Sequence, residues 1–110
     1  MATVKEALSI TAQDLAALAS SAGKAAELLK AMSNENRLMI LCSLMDGELS
    51  VSELNKRVPL SQSALSQHLA ALRKAGLVAT RRESQTIFYS VQSQAALEII
   101  VVLKNTFCPE

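Results

Sequence analysis

Ser50-Val-Ser-Glu-Leu-Asn-Lys-Arg-Val-Pro-Leu-Ser-Gln-Ser-Ala-Leu-Ser-Gln-His-Leu-Ala-Ala-Leu-Arg-Lys-Ala-Gly76 contains two helix starts and a helix stop in close succession. Ser50 is placed to cap a first helix. Glu53, three residues on, completes a capping box, and Leu49 and Leu54 occupy the positions of a hydrophobic staple. This short helix runs to about Arg57, and Pro59, which lacks an N–H and fixes its own backbone, stops it. Ser61 caps a second helix, and Leu60 with Leu65 repeats the staple. It runs to Ala75, where Gly76 can take the left-handed closing conformation and Leu77 can fold back on Leu72. Two helices joined by so short a turn form a helix-turn-helix.

Working outward, the hydrophobic period changes to two after Gly76. Leu77 to Arg82 and Thr86 to Val91 read as strands, with Ile87, Tyr89 and Val91 on one face. The link Glu83-Ser84-Gln85 lacks glycine and leaves the turn type open. A hairpin directly after a helix-turn-helix is the wing of a winged-helix domain. A last helix runs from Gln94, capped by Ser93, to Phe107, with Pro109 ending it. Leu97, Ile99, Ile100, Val101, Val102 and Leu103 make this helix apolar nearly all round, so it must be covered on more than one side, and the natural cover in so small a chain is a second copy. Upstream, residues 1–11 read as a flexible arm. A long helix follows from Ala12 to Ala31, with Leu15, Leu18, Ala22, Ala25, Leu29 and Met32 at helical spacing. Ser33-Asn34 breaks the chain, and Asn36 to Met45 forms a helix whose apolar face holds Leu38, Leu41, Cys42 and Met45 before Asp46-Gly47 closes it. The fold class is therefore mainly α with a small β-hairpin wing: a single winged helix-turn-helix domain over 1–110, in the order α-α-α-α-β-β-α.

Composition narrows the function. In 110 residues, half of them apolar, there is room for one domain and one modest core. Phe88, Tyr89 and Phe107 are the only aromatic residues, too few for a single-strand binder that stacks bases on rings. No run of about 18 apolar residues is present to span a membrane. Lys5 and Glu6 interrupt the N-terminus, so no signal peptide is expected and the protein reads as cytoplasmic, with thiols reduced at rest. One histidine, no clustered carboxylates and no glycine-rich phosphate loop give nothing from which to assemble an enzyme site, and no cofactor is implied. Net charge is only +1, but its distribution is uneven. Between Ser50 and Val91, six cations (Lys56, Arg57, Arg73, Lys74, Arg81, Arg82) face two carboxylates, Glu53 and Glu83, for a net +4, while the remainder carries −3. A basic middle on a repelling body suits a phosphate-facing surface.

The helix beginning at Ser61 has two faces. Leu65, Leu69 and Leu72 hold it to the core, while Ser61, Gln62, Ser63, Ser66, Gln67 and Arg73 lie on the other side. Short hydroxyls and amides near a helix N-terminus offer donors and acceptors without bulk, which suits contacts to base edges and phosphates in a major groove. Arg81 and Arg82 approach the wing tip, from which cations reach phosphates or a minor groove. A polar solvated helix beside a charged hairpin is the plain alternative; the order helix, turn, helix, wing favours double-stranded operator DNA. His68 lies beside the leucine stripe, either as a structural imidazole or as a phosphate contact. With no second histidine it is not a metal ligand.

The stretches Leu-Leu-Lys-Ala-Met-Ser-Asn-Glu-Asn-Arg-Leu (28–38), Ser-Gln-Ser-Ala-Leu-Ser-Gln-His-Leu (61–69), Arg-Lys-Ala-Gly-Leu-Val (73–78) and Ile-Phe-Tyr (87–89) together resemble the ArsR family of bacterial winged-helix regulators. The resemblance extends from about Ala22 to Cys108. It implies a homodimer built on the first and last helices, with the Ser61 helix as recognition helix. Arsenic-sensing members carry a Cys-Val-Cys-Asp motif where this chain has Ser50-Val51-Ser52-Glu53, and a hydroxyl does not replace a thiolate toward a soft metal. The zinc-type site of the family needs histidine on the last helix, which has none here. No metal site is expected.

Two cysteines remain, Cys42 on the second helix and Cys108 at the end of the last. The pair is similar to the HlyU, BigR and SqrR branch of the family, which responds to reactive sulfur species or oxidants through two cysteines. That resemblance implies an intrasubunit disulfide or polysulfide bridge between Cys42 and Cys108 that lowers DNA affinity, the regulator acting as repressor or anti-silencer. Residue chemistry by itself leaves alternatives open. A cysteine on an apolar helix face also serves as a small core hydrophobe. The dipole at a helix C-terminus opposes a thiolate at Cys108, while Lys104 one turn earlier favours it. A disulfide needs Cα atoms within about 7 Å, so the reduced cysteines are expected to face each other near or just beyond that limit. Competing readings are a related regulator of a metal or small ligand with structural cysteines, and a winged-helix protein-interaction module.

Overall fold

The computed structural model describes residues 9–108. Of the proposed arm, residues 1–8 lie outside that range, as does Pro109. Eight elements follow in the order α1 (Ala12–Met32), α2 (Glu35–Ser43), β1 (Leu49–Ser50), α3 (Val51–Arg57), α4 (Gln62–Lys74), β2 (Val78–Glu83), β3 (Thr86–Val91) and α5 (Gln94–Phe107). The order expected from sequence lacked β1. Two residues are too few to show a period, and they are extended only because they pair with β3, Leu49 opposite Tyr89 and Ser50 opposite Phe88. The result is a three-stranded antiparallel sheet in the order β1-β3-β2.

Helix boundaries follow their caps. Ser50 Oγ accepts from the Glu53 N–H at 3.2 Å while Glu53 accepts from the Ser50 N–H at 2.9 Å, closing the anticipated box. A second box, Thr11 with Asp14, starts α1. Asn34 caps α2, accepting from the N–H groups of Asn36 and Arg37. That helix ends at Ser43, two residues before the expected Met45, because Leu44 to Asp46 tighten into a turn. The α3–α4 turn is held by the Asn55 side-chain amide, which donates to the carbonyls of Val58 and Leu60. At the far end of α4, Gly76 has φ +78° and the Leu77 N–H donates to the Leu72 carbonyl at 2.9 Å, which is the predicted Schellman closure. The wing turns through Ser84 and Gln85, with Glu83 paired to Thr86. Ser84 takes a left-handed φ of +56°, supplying the backbone reversal that such two-residue turns need.

One cluster forms the core. Ile40 and Leu41 of α2, Leu54 of α3, the Leu65–Leu69–Leu72 stripe of α4, Leu77, Val78, and Ala96 and Ile100 of α5 converge in it, and Met32 closes its α1 side. The long helices are only partly used by this core. On α1, Leu15, Leu18 and Leu29, which recur at helical spacing, are exposed, as are Val101, Val102 and Phe107 on α5. Full burial of such a side chain contributes about 1.5–3 kcal/mol, and each of these forgoes the share that its exposed part represents.

Candidate nucleic-acid interface and thiol groove

Helix α4 presents its two faces as its spacing requires. Leu65, Leu69 and Leu72 are buried, and Ser61, Gln62, Ser63, Ser66, Gln67 and Arg73 are exposed. Ser61 also caps the helix, its Oγ accepting from the Ala64 N–H at 3.2 Å and lying 3.5 Å from Ser63 Oγ. The other N–H groups of the first turn have no partner within the helix, and the positive end of a 13-residue helix adds to their attraction for phosphate.

His68 is half-buried, and its Nδ1 accepts from Arg37 Nε at 3.2 Å. Arg37 also donates to the Ala31 carbonyl, so the imidazole ties α4 to the α1–α2 junction. The structural reading of His68 accounts for its bond to Arg37, and the phosphate-contact reading concerns the part of the ring left accessible. Across the wing the two arginines separate. Arg82 is exposed, with no side-chain partner among the described residues. Arg81 binds Glu48 through Nε at 3.1 Å and Nη2 at 2.6 Å, and Glu83 through Nη1 at 3.0 Å. These hydrogen bonds hold the Glu48 carboxyl below its ordinary value and push the Arg81 guanidinium above its own. Sequence reading missed Glu48 and Arg37 as partners, since 33 and 31 residues separate them from Arg81 and His68 with no local signal.

The cysteines, on α2 and at the end of α5, are far apart in sequence but border the same space. Both are free and exposed, and both line one groove of about 570 Å³ between α2 and α5. Leu38, Met45, Ile100 and Leu103 form its apolar walls, with Asp46 and Lys104 also lining it. Cys42 is therefore not the core hydrophobe that its helix face allowed; its neighbour Leu41 fills that place. Partial burial of the sulfur pushes the Cys42 thiol up, and the charge of a Cys108 thiolate pushes it further. Among the described residues no three His, Cys, Asp or Glu side chains converge as a metal site would require.

Residues 34–80 match the family described as "Bacterial regulatory protein, arsR family". The transcriptional activator HlyU of Vibrio cholerae is 57% identical over 88 residues, which are 80% of this chain and 82% of that protein. The chain belongs to the ArsR family. Its fold matches the structure of reduced HlyU from Vibrio cholerae with a TM-score of 0.78 at 55% identity, covering 83% of this chain and 96% of the other. The transcriptional repressor BigR from Xylella fastidiosa superimposes with a TM-score of 0.81 at 38% identity, over 92% of this chain and all of that one. Within the ArsR family the chain groups with HlyU and BigR, and it is a transcriptional regulator with a winged-helix DNA-binding fold. No helix among the described residues is long and apolar enough to cross a membrane.

Proposed function

We propose that this ArsR-family regulator binds operator DNA as a homodimer and loses affinity when Cys42 and Cys108 become bridged in response to reactive sulfur species or oxidants. The single observation that carries the reading is the shared groove: two free thiols, one on α2 and one at the end of α5, open into the same space. α4 then lies in the major groove with Gln62, Ser63, Ser66 and Gln67 toward base edges, and Arg73 and the wing serve the phosphates. A second copy covers the exposed leucines of α1 and the exposed valines of α5.

The bridge is a two-electron oxidation. With peroxide, two thiols and one peroxide give a disulfide and two waters. With a persulfide, the Cys42 thiolate takes a sulfur atom from the donor, whose thiol leaves. Attack by the Cys108 thiolate on Cys42 Sγ itself then forms the disulfide and expels the outer sulfur as hydrogen sulfide. If both cysteines are persulfidated first, loss of one hydrogen sulfide leaves a trisulfide. Either product fastens α2 to α5. Because α5 belongs to the dimer surface, the spacing of the two recognition helices, which must match about 34 Å of DNA, shifts with it.

The decisive experiment treats the reduced dimer with polysulfide, follows the Cys42–Cys108 linkage by peptide mass spectrometry, and measures operator affinity on the same samples. Affinity should fall in step with bridging, and Cys42→Ser should abolish both changes. Complete bridging with undiminished affinity would overturn the switch. Alanine at Gln62 and Ser66 should weaken binding to a duplex enriched from random sequence. Unchanged binding there would favour a protein-interaction role.

A further inference from the structure

Arg81 sits where the wing meets the helix-turn-helix. Register places Ser50 opposite Phe88 and Phe88 opposite Arg81, so the three form one row across the sheet. Within that row the Arg81 Cζ lies 4.7 Å from the Phe88 ring centroid, and the guanidinium meets Glu48 bidentately and Glu83 once. Glu48 immediately precedes β1, and Ser50, two residues on, caps α3. One side chain therefore joins the strand leading into the helix-turn-helix to both strands of the wing.

An isolated exposed ion pair contributes little. Here the fork geometry, a second carboxylate and an aromatic face act together, and planar bidentate contacts fix orientation as well as distance. The cluster of Glu48, Arg81 and Glu83 has a net charge of −1, so it does not attract phosphate. Arg82, one residue on, faces the other side of the strand with no carboxylate on it among the described residues.

We infer that Arg81 is a positioning residue, not a DNA contact: with Glu48, Glu83 and Phe88 it sets the angle of the wing against α3 and α4, and Arg82 is the wing's phosphate contact. The inference rests on the operator-binding reading and changes the role of one residue within it. It makes Glu48, an acidic residue on a DNA-binding surface, favourable for binding.

The test measures operator affinity against salt concentration for the full-length protein and five variants, with amide exchange of the β1–β3 ladder followed without DNA. Arg82→Ala should flatten the salt dependence by about 0.9 per protomer, as for one lost phosphate contact. Arg81→Ala should lower affinity about fivefold or more at every salt concentration with the slope retained. Glu48→Gln should also weaken binding, although it removes a negative charge. Glu48→Arg combined with Arg81→Glu should regain most of what Glu48→Arg alone loses. Arg81→Ala and Glu48→Gln should each speed exchange at the Leu49–Tyr89 pair of the ladder. Tighter binding by Glu48→Gln, or a slope change in Arg81→Ala equal to that in Arg82→Ala, would make Arg81 a phosphate contact and overturn the inference. So would unaltered ladder exchange in both clamp variants. If wild-type protein showed no preference for any duplex, the operator reading would fall, while the exchange readout would still judge the clamp.

Discussion

Substituting Leu69 and Ser66 one at a time tests the two-faced reading of α4. Leu69 is 1% exposed inside the core, and Ser66, on the same helix, is exposed and its hydroxyl makes no hydrogen bond among the described residues. Leu69→Ala removes three carbons. At about 0.8 kcal/mol each, the transfer cost alone is about 2.4 kcal/mol. The fixed neighbours Leu41, Leu65 and Leu72 limit collapse of the hole, and an unrelaxed cavity raises the loss toward about 5 kcal/mol. A domain of this size has about 5–15 kcal/mol in total, so the midpoint of urea unfolding should move far down with an unchanged slope. Ser66→Ala should stay within about 0.5 kcal/mol of wild type. Operator affinity, measured by fluorescence anisotropy well below the unfolding transition, should show the reverse order: clear weakening for Ser66→Ala and little for the folded fraction of Leu69→Ala. Protein concentration must be matched, because any self-association adds to apparent stability. A loss below about 1 kcal/mol at Leu69, or a large one at Ser66, would refute the assignment of faces.

Gly76→Ala should cost about 1–2 kcal/mol in unfolding free energy, since φ is +78° and nothing lies within 4 Å of the added Cβ, so the whole cost is conformational. Glu53 is held below the ordinary carboxylate range chiefly by the Ser50 N–H, so its folded pKa is depressed. Its contribution is thus present above the unfolded value near 4.3 and is lost as pH falls through the folded one; the stability gap between wild type and Glu53→Gln should shrink on titration from pH 6 to pH 3. Cys108→Ser should lower the Cys42 thiol pKa only partly, because burial is the larger cause and remains, which the pH dependence of Cys42 alkylation reads directly. Val102→Glu, on the exposed apolar side of α5, should shift sedimentation toward monomer while leaving helix content intact.

What the sequence determined by itself was local. Ser50 with Glu53, Ser61, Ser93 and Gly76 set helix ends through bonds that span three to five residues, so their meaning is independent of the rest of the chain. The leucine stripe of α4 likewise declares its buried face by spacing. Tertiary structure decided whatever depends on pairing between distant segments. β1 exists only through β3. Arg81 looked like a free cation until Glu48, 33 residues away, took up its fork, and His68 acquired its role from Arg37. Cys42, on the apolar side of its helix by spacing, opens into solvent because the α2–α5 packing leaves a groove there, and the same packing brings Cys108 to it from the far end of the chain. Local hydrogen bonds can be read from a few neighbouring residues. A charge partner or a thiol partner is set by how helices and strands pack, and no short stretch of sequence encodes that distance.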